Sequence, residues 1–177
     1  MQVIFLLLWL CPLIAYAVEV KHAEMALVGQ AFVLSADLDY QLNGKAKAAL
    51  QSGVPLYWDI KIKVEQQREY LWDKTIAEKT IRFRVQYNAL LNVYRVRNEN
   101  SGNSYSFSTL AAALNLMSTL RNYSIMAVDA IQPDKNYMAA IKIKLDRDAL
   151  PLPLRPVAYT DSQWYLFSDW YVWPLKK

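Results

Sequence analysis

The chain has 177 residues, 54% of them hydrophobic, and its 20 basic and 16 acidic side chains leave a net charge of +4. That length is enough for one domain with a real core, and there is no internal repeat, low-complexity tract or long linker. A single cysteine, Cys11, and a single histidine, His22, exclude a disulfide framework and a CxxC or Cys/His zinc site.

Residues 1–17 read MQVIFLLLWLCPLIAYA and carry no charged side chain. An apolar run from Val3 to Leu10 is followed by Cys11 and Pro12, and the segment closes on Ala15-Tyr16-Ala17. Small residues at the third and first positions before a junction suit signal peptidase, so an export signal cut between Ala17 and Val18 is expected. A membrane span needs about 20 apolar residues. This run stops before Glu19, and Pro12 weakens a continuous helix. An uncleaved anchor is the alternative. Leu10 stands before Cys11 where a lipoprotein needs a small residue, which argues against lipidation. Residues 18–177 are then expected to form a single exported β-rich domain, free of cysteine and holding every charge in the chain.

In that domain, Ala31 to Leu42 alternates as a strand, with Phe32, Leu34, Ala36, Leu38 and Tyr40 on one face and Asp37 and Asp39 on the other. Asn43 caps a short helix over Gly44 to Gln51, with Gly53 just past its end. Pro55 suits the start of a strand. Leu56 to Val64 follows, with Leu56, Trp58, Ile60, Ile62 and Val64 inward and Tyr57, Asp59, Lys61 and Lys63 outward. The charged stretch Glu65 to Lys74 makes a crossing, with Tyr70 and Trp72 tucked back onto the core. Ile81, Phe83, Val85 and Tyr87 mark another strand whose outer face is Arg82, Arg84 and Gln86. Asn88 allows a tight turn, Leu91 to Arg97 returns, and Asn100-Ser101-Gly102-Asn103 has the residues of a hairpin loop.

Ser108 or Thr109 caps a helix to about Leu120, with Leu110, Leu114 and Met117 on one side. A strand near Tyr123 to Ile131, a turn at Gln132 to Asn136 and a strand from Tyr137 to Asp146 come next. Leu150 to Pro156, with prolines at 151, 153 and 156, is expected to run extended over the surface in polyproline style. An aromatic strand, Trp164 to Trp173, ends the chain. The fold class is α+β: a mostly antiparallel sheet or sandwich of about seven or eight strands with two short helices.

Four of these strands each carry two cations separated by one apolar residue: Lys61 and Lys63, Arg82 and Arg84, Arg95 and Arg97, Lys142 and Lys144. Period-two geometry puts each pair on the solvent side of its strand. If the strands are neighbours, all eight cations share a face. Such a face costs stability unless acids or a ligand offset it. Asp59 and Glu65 have the right parity to do part of that. An anionic partner is the functional reading: lipid headgroups, an acidic glycan or an acidic protein patch. The plainer reading is an ordinary solvated face whose charge discourages edge pairing. Export argues against nucleic acid.

Trp164, Tyr165, Phe167, Trp170, Tyr171 and Trp173 crowd the last strand. Alternation groups Trp164, Leu166, Trp170 and Val172 on one face and Tyr165, Phe167, Tyr171 and Trp173 on the other. Both faces are apolar, so both should be covered, and Asp169 should make a structural hydrogen bond. The sharper alternative is a docking surface or an interfacial anchor at a bilayer.

Catalysis finds little support. His22, near the mature amino terminus, lacks the fixed geometry of a general base. Asp37 with Asp39 is a carboxylate pair that a hydrolase could use. Asp146 and Asp148 bracket Arg147 and are expected to form local ion pairs. With four glycines in the whole chain there is no phosphate-cradling loop, and no cofactor is expected.

Several strings, in order, carry a resemblance: Gly53-Val54-Pro55-Leu56-Tyr57, Tyr70-Leu71-Trp72-Asp73, Tyr87-Asn88-Ala89-Leu90, Tyr94-Arg95-Val96, Phe107-Ser108-Thr109-Leu110, Leu154-Arg155-Pro156-Val157 and Ser168-Asp169-Trp170-Tyr171. Together they resemble the proteobacterial domain-of-unknown-function family 4390. The resemblance implies a small exported protein of the Gram-negative periplasm or cell envelope, with an inner-membrane anchor as the alternative. Genes of that family often lie beside one for a membrane sensor histidine kinase and one for a ribosomal RNA methyltransferase. The leading expectation is a non-enzymatic accessory module that binds a membrane partner, such as the external part of that kinase, through the basic sheet face or an exposed part of Trp164 to Trp173. A peripheral binder of anionic lipid or glycan is the alternative, and a carboxylate-dependent hydrolase the third reading. The chain departs from the family in having Gln or Lys around the Tyr70–Trp72 crossing and on the sheet, where members are richer in arginine.

Overall fold

The structure, a computed structural model, describes residues 18–176. The expected export signal over residues 1–17 lies outside the described residues. Nine strands and three short α-helices form an α+β fold with two antiparallel sheets. β1 (Val18–Val28), β2 (Ala31–Tyr40) and β7 (Thr119–Ala127) make a three-stranded sheet in the order β1-β2-β7. β3 (Leu56–Gln66), β4 (Lys74–Asn88), β5 (Val93–Asn98), β6 (Ser104–Phe107), β8 (Tyr137–Leu145) and β9 (Tyr171–Pro174) make a six-stranded sheet in the order β6-β5-β4-β3-β8-β9.

The core follows from the alternation. Leu56, Trp58, Ile60, Ile62 and Val64 of β3 are fully buried, as are Ile141 and Ile143 of β8. They meet Phe32, Leu34, Leu38 and Tyr40 of β2 in one apolar cluster. The Tyr40 and Trp58 rings pack edge to face, 5.2 Å between centroids, joining the two sheets. Helix α1 (Gly44–Gln51) buries Ala46 and Leu50, and the Asn43 side chain accepts from the Ala46 N–H as its cap. Helix α2 (Leu110–Ser118) is capped in the same way by Thr109, and ends before Leu120 because β7 already begins at Thr119.

Several elements differ from expectation, each for a physical reason. β1 is an additional strand. A bulge between Val20 and His22 shifts its register, so Val18 and Val20 are buried in one phase and Ala23 and Met25 in the other. His22 therefore sits on a strand rather than at a loose terminus. β4 starts at Lys74, well before Ile81, because it pairs along the whole length of β3. The strand expected over Tyr123 to Ile131 is β7, which ends at Ala127.

Leu150 to Pro156 does not run extended. A 3-10 turn over Leu152–Leu154 leads into helix α3 (Arg155–Thr160). Pro156 occupies the first turn of that helix, where a missing N–H costs nothing. The Arg155 side chain ties the turn down by donating to the Leu150 carbonyl at 2.7 Å. Nor do Tyr70 and Trp72 tuck onto the core: they are 93% and 91% exposed at the tip of the β3–β4 hairpin. There Arg68 Nε donates to the Trp72 carbonyl and Asp73 accepts from the Arg68 N–H, so the loop is held by its polar groups.

The expected strand from Trp164 to Trp173 is broken. Trp164 closes a 3-10 turn, a single bridge joins Phe167 to Lys144, and only β9 at its end pairs regularly with β8. Trp164 and Leu166 are buried, whereas Tyr165, Phe167, Trp170 and Val172 are exposed. Strict alternation fails at Ser168-Asp169, where the buried Ser168 hydroxyl accepts from the Ile143 N–H and donates to the Asp169 carbonyl. The structural bond expected of Asp169 is thus made by its backbone.

Candidate anionic-partner face

β5, β4, β3 and β8 are consecutive in the six-stranded sheet. Directly opposed residues of an antiparallel pair share a face. Arg84 stands opposite Arg97, Gln86 opposite Arg95, Asp59 opposite both Arg82 and Lys144, and Lys61 opposite Lys142. Lys63 follows Lys61 in phase on β3. All eight cations therefore lie on one face, with the apolar core on the reverse.

Their charge is unevenly offset. Arg82 is held by Asp59 at 3.4 Å and Asp146 at 2.5 Å. Arg84 and Arg97 share Glu99, at 3.1 and 3.7 Å, and Lys63 pairs with Glu65 at 2.8 Å. Lys61, Arg95, Lys142 and Lys144 have no acidic partner among the described residues. Asp59 and Glu65 do part of the compensation that their parity allowed. Glu99 and Asp146 do the rest from just past the ends of β5 and β8, in phase with Arg95 and Arg97 and with Lys142 and Lys144.

The two candidate surfaces meet. Trp170 lies 4.7 Å from the Lys63 ammonium, and Phe167 lies 5.2 Å from that of Lys142. A cation over an aromatic face is attracted to the ring quadrupole. The aromatic segment is thus divided between core and surface. Trp164 is buried, and Tyr171 and Trp173 pack against the core. Tyr165, Phe167 and Trp170 turn outward beside the basic face. Tyr165 and Phe167 alternate with the buried Trp164, Leu166 and Ser168, and the loss of alternation after Ser168 puts Trp170 outward and Tyr171 and Trp173 toward the core.

Arg147 departs from expectation as well. Asp146 is engaged by Arg82, and Asp148 accepts from the Tyr159 hydroxyl, so neither carboxylate pairs with Arg147. Its guanidinium instead lies 4.5 Å from the Tyr159 ring and 4.2 Å from the Tyr165 ring.

The carboxylate pair considered for hydrolysis sits on the other sheet. Asp37 is paired with Arg121 at 2.5 Å and Asp39 with Lys21 at 2.9 Å. The hydrogen bond from Lys21 holds the Asp39 carboxyl below its usual range, the reverse of what a general acid needs. His22 is well exposed, 3.8 Å from Glu24. No group of three or more His, Cys, Asp or Glu that could hold a metal ion occurs among the described residues.

The family described as Domain of unknown function (DUF4390) matches the chain over residues 15–174. Neither a curated protein nor a solved structure matches it. No helix among the described residues is long and apolar enough to cross a membrane.

Proposed function

The chain belongs to the DUF4390 family, and we propose that it is a non-enzymatic accessory module of the cell envelope that binds an anionic membrane partner through the outer face of β5, β4, β3 and β8. The observation that carries this reading is the imbalance on that face. Eight cations are collected there, and Lys61, Arg95, Lys142 and Lys144 have no acidic partner among the described residues. Lys61 directly opposes Lys142, an arrangement that destabilises a sheet. An acidic patch on a partner relieves that repulsion and draws its own affinity and on-rate from it. The partner we favour is the external part of a membrane sensor histidine kinase, and the compartment is the periplasm, reached through the export signal at residues 1–17.

The test is in-cell crosslinking of a tagged chain, followed by mass spectrometry of the captured proteins. A sensor kinase captured by the native chain and lost with Lys61→Glu plus Arg95→Glu, in a protein that still folds, supports the reading. Capture unchanged by that double reversal overturns it. Arg82, Arg84 and Arg97 are poor test positions, because reversing them also breaks their pairs with Asp59, Asp146 and Glu99.

A second reading, peripheral attachment to a lipid surface, is favoured by one observation. Tyr70, Leu71 and Trp72 are exposed together on a loop braced by Arg68 and Asp73. Tyr and Trp suit the headgroup level of a bilayer. Binding to protein-free vesicles separates the two readings, since only the lipid reading requires it.

A further inference from the structure

A cleft opens where the basic face meets the outward-turned aromatic rings. Its volume is about 200 Å³, and its lining includes Lys142, Lys144, Arg147, Tyr159, Tyr165 and Phe167. Arg147, one of its lining residues, is held in place by its neighbours. The Tyr159 and Tyr165 rings flank the guanidinium at 4.5 and 4.2 Å, and Nη1 donates to the Ala158 carbonyl at 3.2 Å. The rings are themselves fixed. The Tyr165 hydroxyl donates to the Tyr159 carbonyl at 2.8 Å, and the Tyr159 hydroxyl donates to Asp148.

This clamp leaves the Nε and Nη2 donors of Arg147 without a protein acceptor among the described residues. That edge is the planar fork that takes a carboxylate or phosphate through two parallel hydrogen bonds. Asp146 and Asp148 also line the cleft, but neither pairs with Arg147: Asp146 is engaged by Arg82, and Asp148 accepts from the Tyr159 hydroxyl. Lys142 and Lys144 add two positive charges to the same cleft, and neither has an acidic partner among the described residues. A guanidinium already immobilised loses little further entropy when an anion docks.

The rest of the lining decides what the anion is attached to. Tyr165 and Phe167 are 44% and 36% exposed, and offer ring surface next to the cations. The volume is below the roughly 300–1,000 Å³ of pockets for drug-sized ligands, so the occupant is small. We propose that this cleft binds an acidic sugar ring. Its carboxylate or phosphate sits on the Arg147 fork and near Lys144, and its C–H face lies against Phe167 and Tyr165. The proposal rests on the reading of this face as an anionic-partner surface, and names the chemistry recognised at one end of it.

The experiment is titration of the purified protein, followed by calorimetry or NMR, with glucuronate, glucose 6-phosphate, glucose and inorganic phosphate. Glucuronate and glucose 6-phosphate distinguish a carboxylate from a phosphate as the source of charge. At least one of them is expected to bind ten times more tightly than both glucose and inorganic phosphate. Arg147→Lys keeps the charge and loses the fork, and is expected to weaken that binding at least tenfold. Lys142→Gln with Lys144→Gln, which leaves the clamp in place, should also weaken it. Failure of both acidic sugars to bind in the millimolar range overturns the proposal. So does phosphate binding as tightly as glucose 6-phosphate when glucuronate does not bind, and so does binding unchanged in Arg147→Lys. Partner capture is read separately with Lys61→Glu and Arg95→Glu, neither of which lines the cleft. Absent sugar binding with capture intact overturns the cleft alone, and lost capture leaves the sugar result standing.

Discussion

Lys61 and Lys142 stand directly opposite one another on β3 and β8, on the solvent side of the sheet, and neither has an acidic partner among the described residues. Like charges in that position repel. Lys61→Glu should therefore stabilise the fold by about 0.2–1 kcal/mol through a new pair with Lys142. The gain should fade in about 1 M salt, where the screening length is about 3 Å. Denaturant unfolding at low and high salt checks both parts. A stabilised variant that loses its partner would mean that the face is kept basic for binding rather than for folding.

The roof over the edge of this face hangs on Ser168. Its buried hydroxyl accepts from the Ile143 N–H at 3.0 Å, and its own N–H donates to the Ile143 carbonyl at 2.9 Å. Ser168→Ala leaves a β8 amide without its acceptor. A loss of about 1–3 kcal/mol is expected, the usual cost of stranding a buried polar group. Chemical denaturation measures the loss. The near-ultraviolet circular dichroism band should also change, because Phe167 and Trp170 flank this residue.

Two tryptophans should respond oppositely to truncation. Trp58 is fully buried and packs against Tyr40, so Trp58→Ala should cost about 3–5 kcal/mol. Trp72 is 91% exposed, and Trp72→Ala should stay within about 0.5 kcal/mol of the native stability. Urea unfolding of the two variants decides. A large loss at Trp72 would mean that the hairpin tip packs against the core after all.

The pH dependence of stability should be lost from both ends. Asp39, through its hydrogen bond from Lys21, and Asp161, through its hydrogen bond from Lys45, are both held below the usual carboxylate range. A lowered folded pKa contributes stability above the ordinary value of about 3.9, and that stability disappears as pH falls through the folded value. Lys21, hydrogen-bonded to Asp39, and Tyr159, hydrogen-bonded to Asp148, are raised, and burial raises Tyr40. Their contributions are complete below the ordinary pKa of about 10 and are lost as pH rises through the folded values. Urea midpoints should fall at both extremes, and Asp39→Asn with Asp161→Asn should flatten the acid limb. An acid limb unchanged in that double variant would assign acid unfolding to other carboxylates.

Local chemistry made several parts of this protein legible in its residues. The Asn43 cap, the alternation of Leu56 to Val64 and that of Tyr137 onward depend on near neighbours in the chain, so they read directly from order and spacing. The outward aim of each cation pair follows from the same period of two. A family resemblance carried by scattered short strings was legible too. Other features depend on residues far apart in the chain. Lys61 meets Lys142, Asp146 reaches Arg82 and Glu99 reaches Arg84 only because β5, β4, β3 and β8 lie side by side. One inserted residue near Lys21 hid β1 by reversing its phase. At Ser168-Asp169 a side chain substituting for a backbone partner broke the alternation and turned Trp170 outward. The exposure of Tyr70 and Trp72 is the plainest case. Aromatic character favours burial, but a hairpin tip held by Arg68 and Asp73 has no core within reach, and geometry prevailed over hydrophobicity.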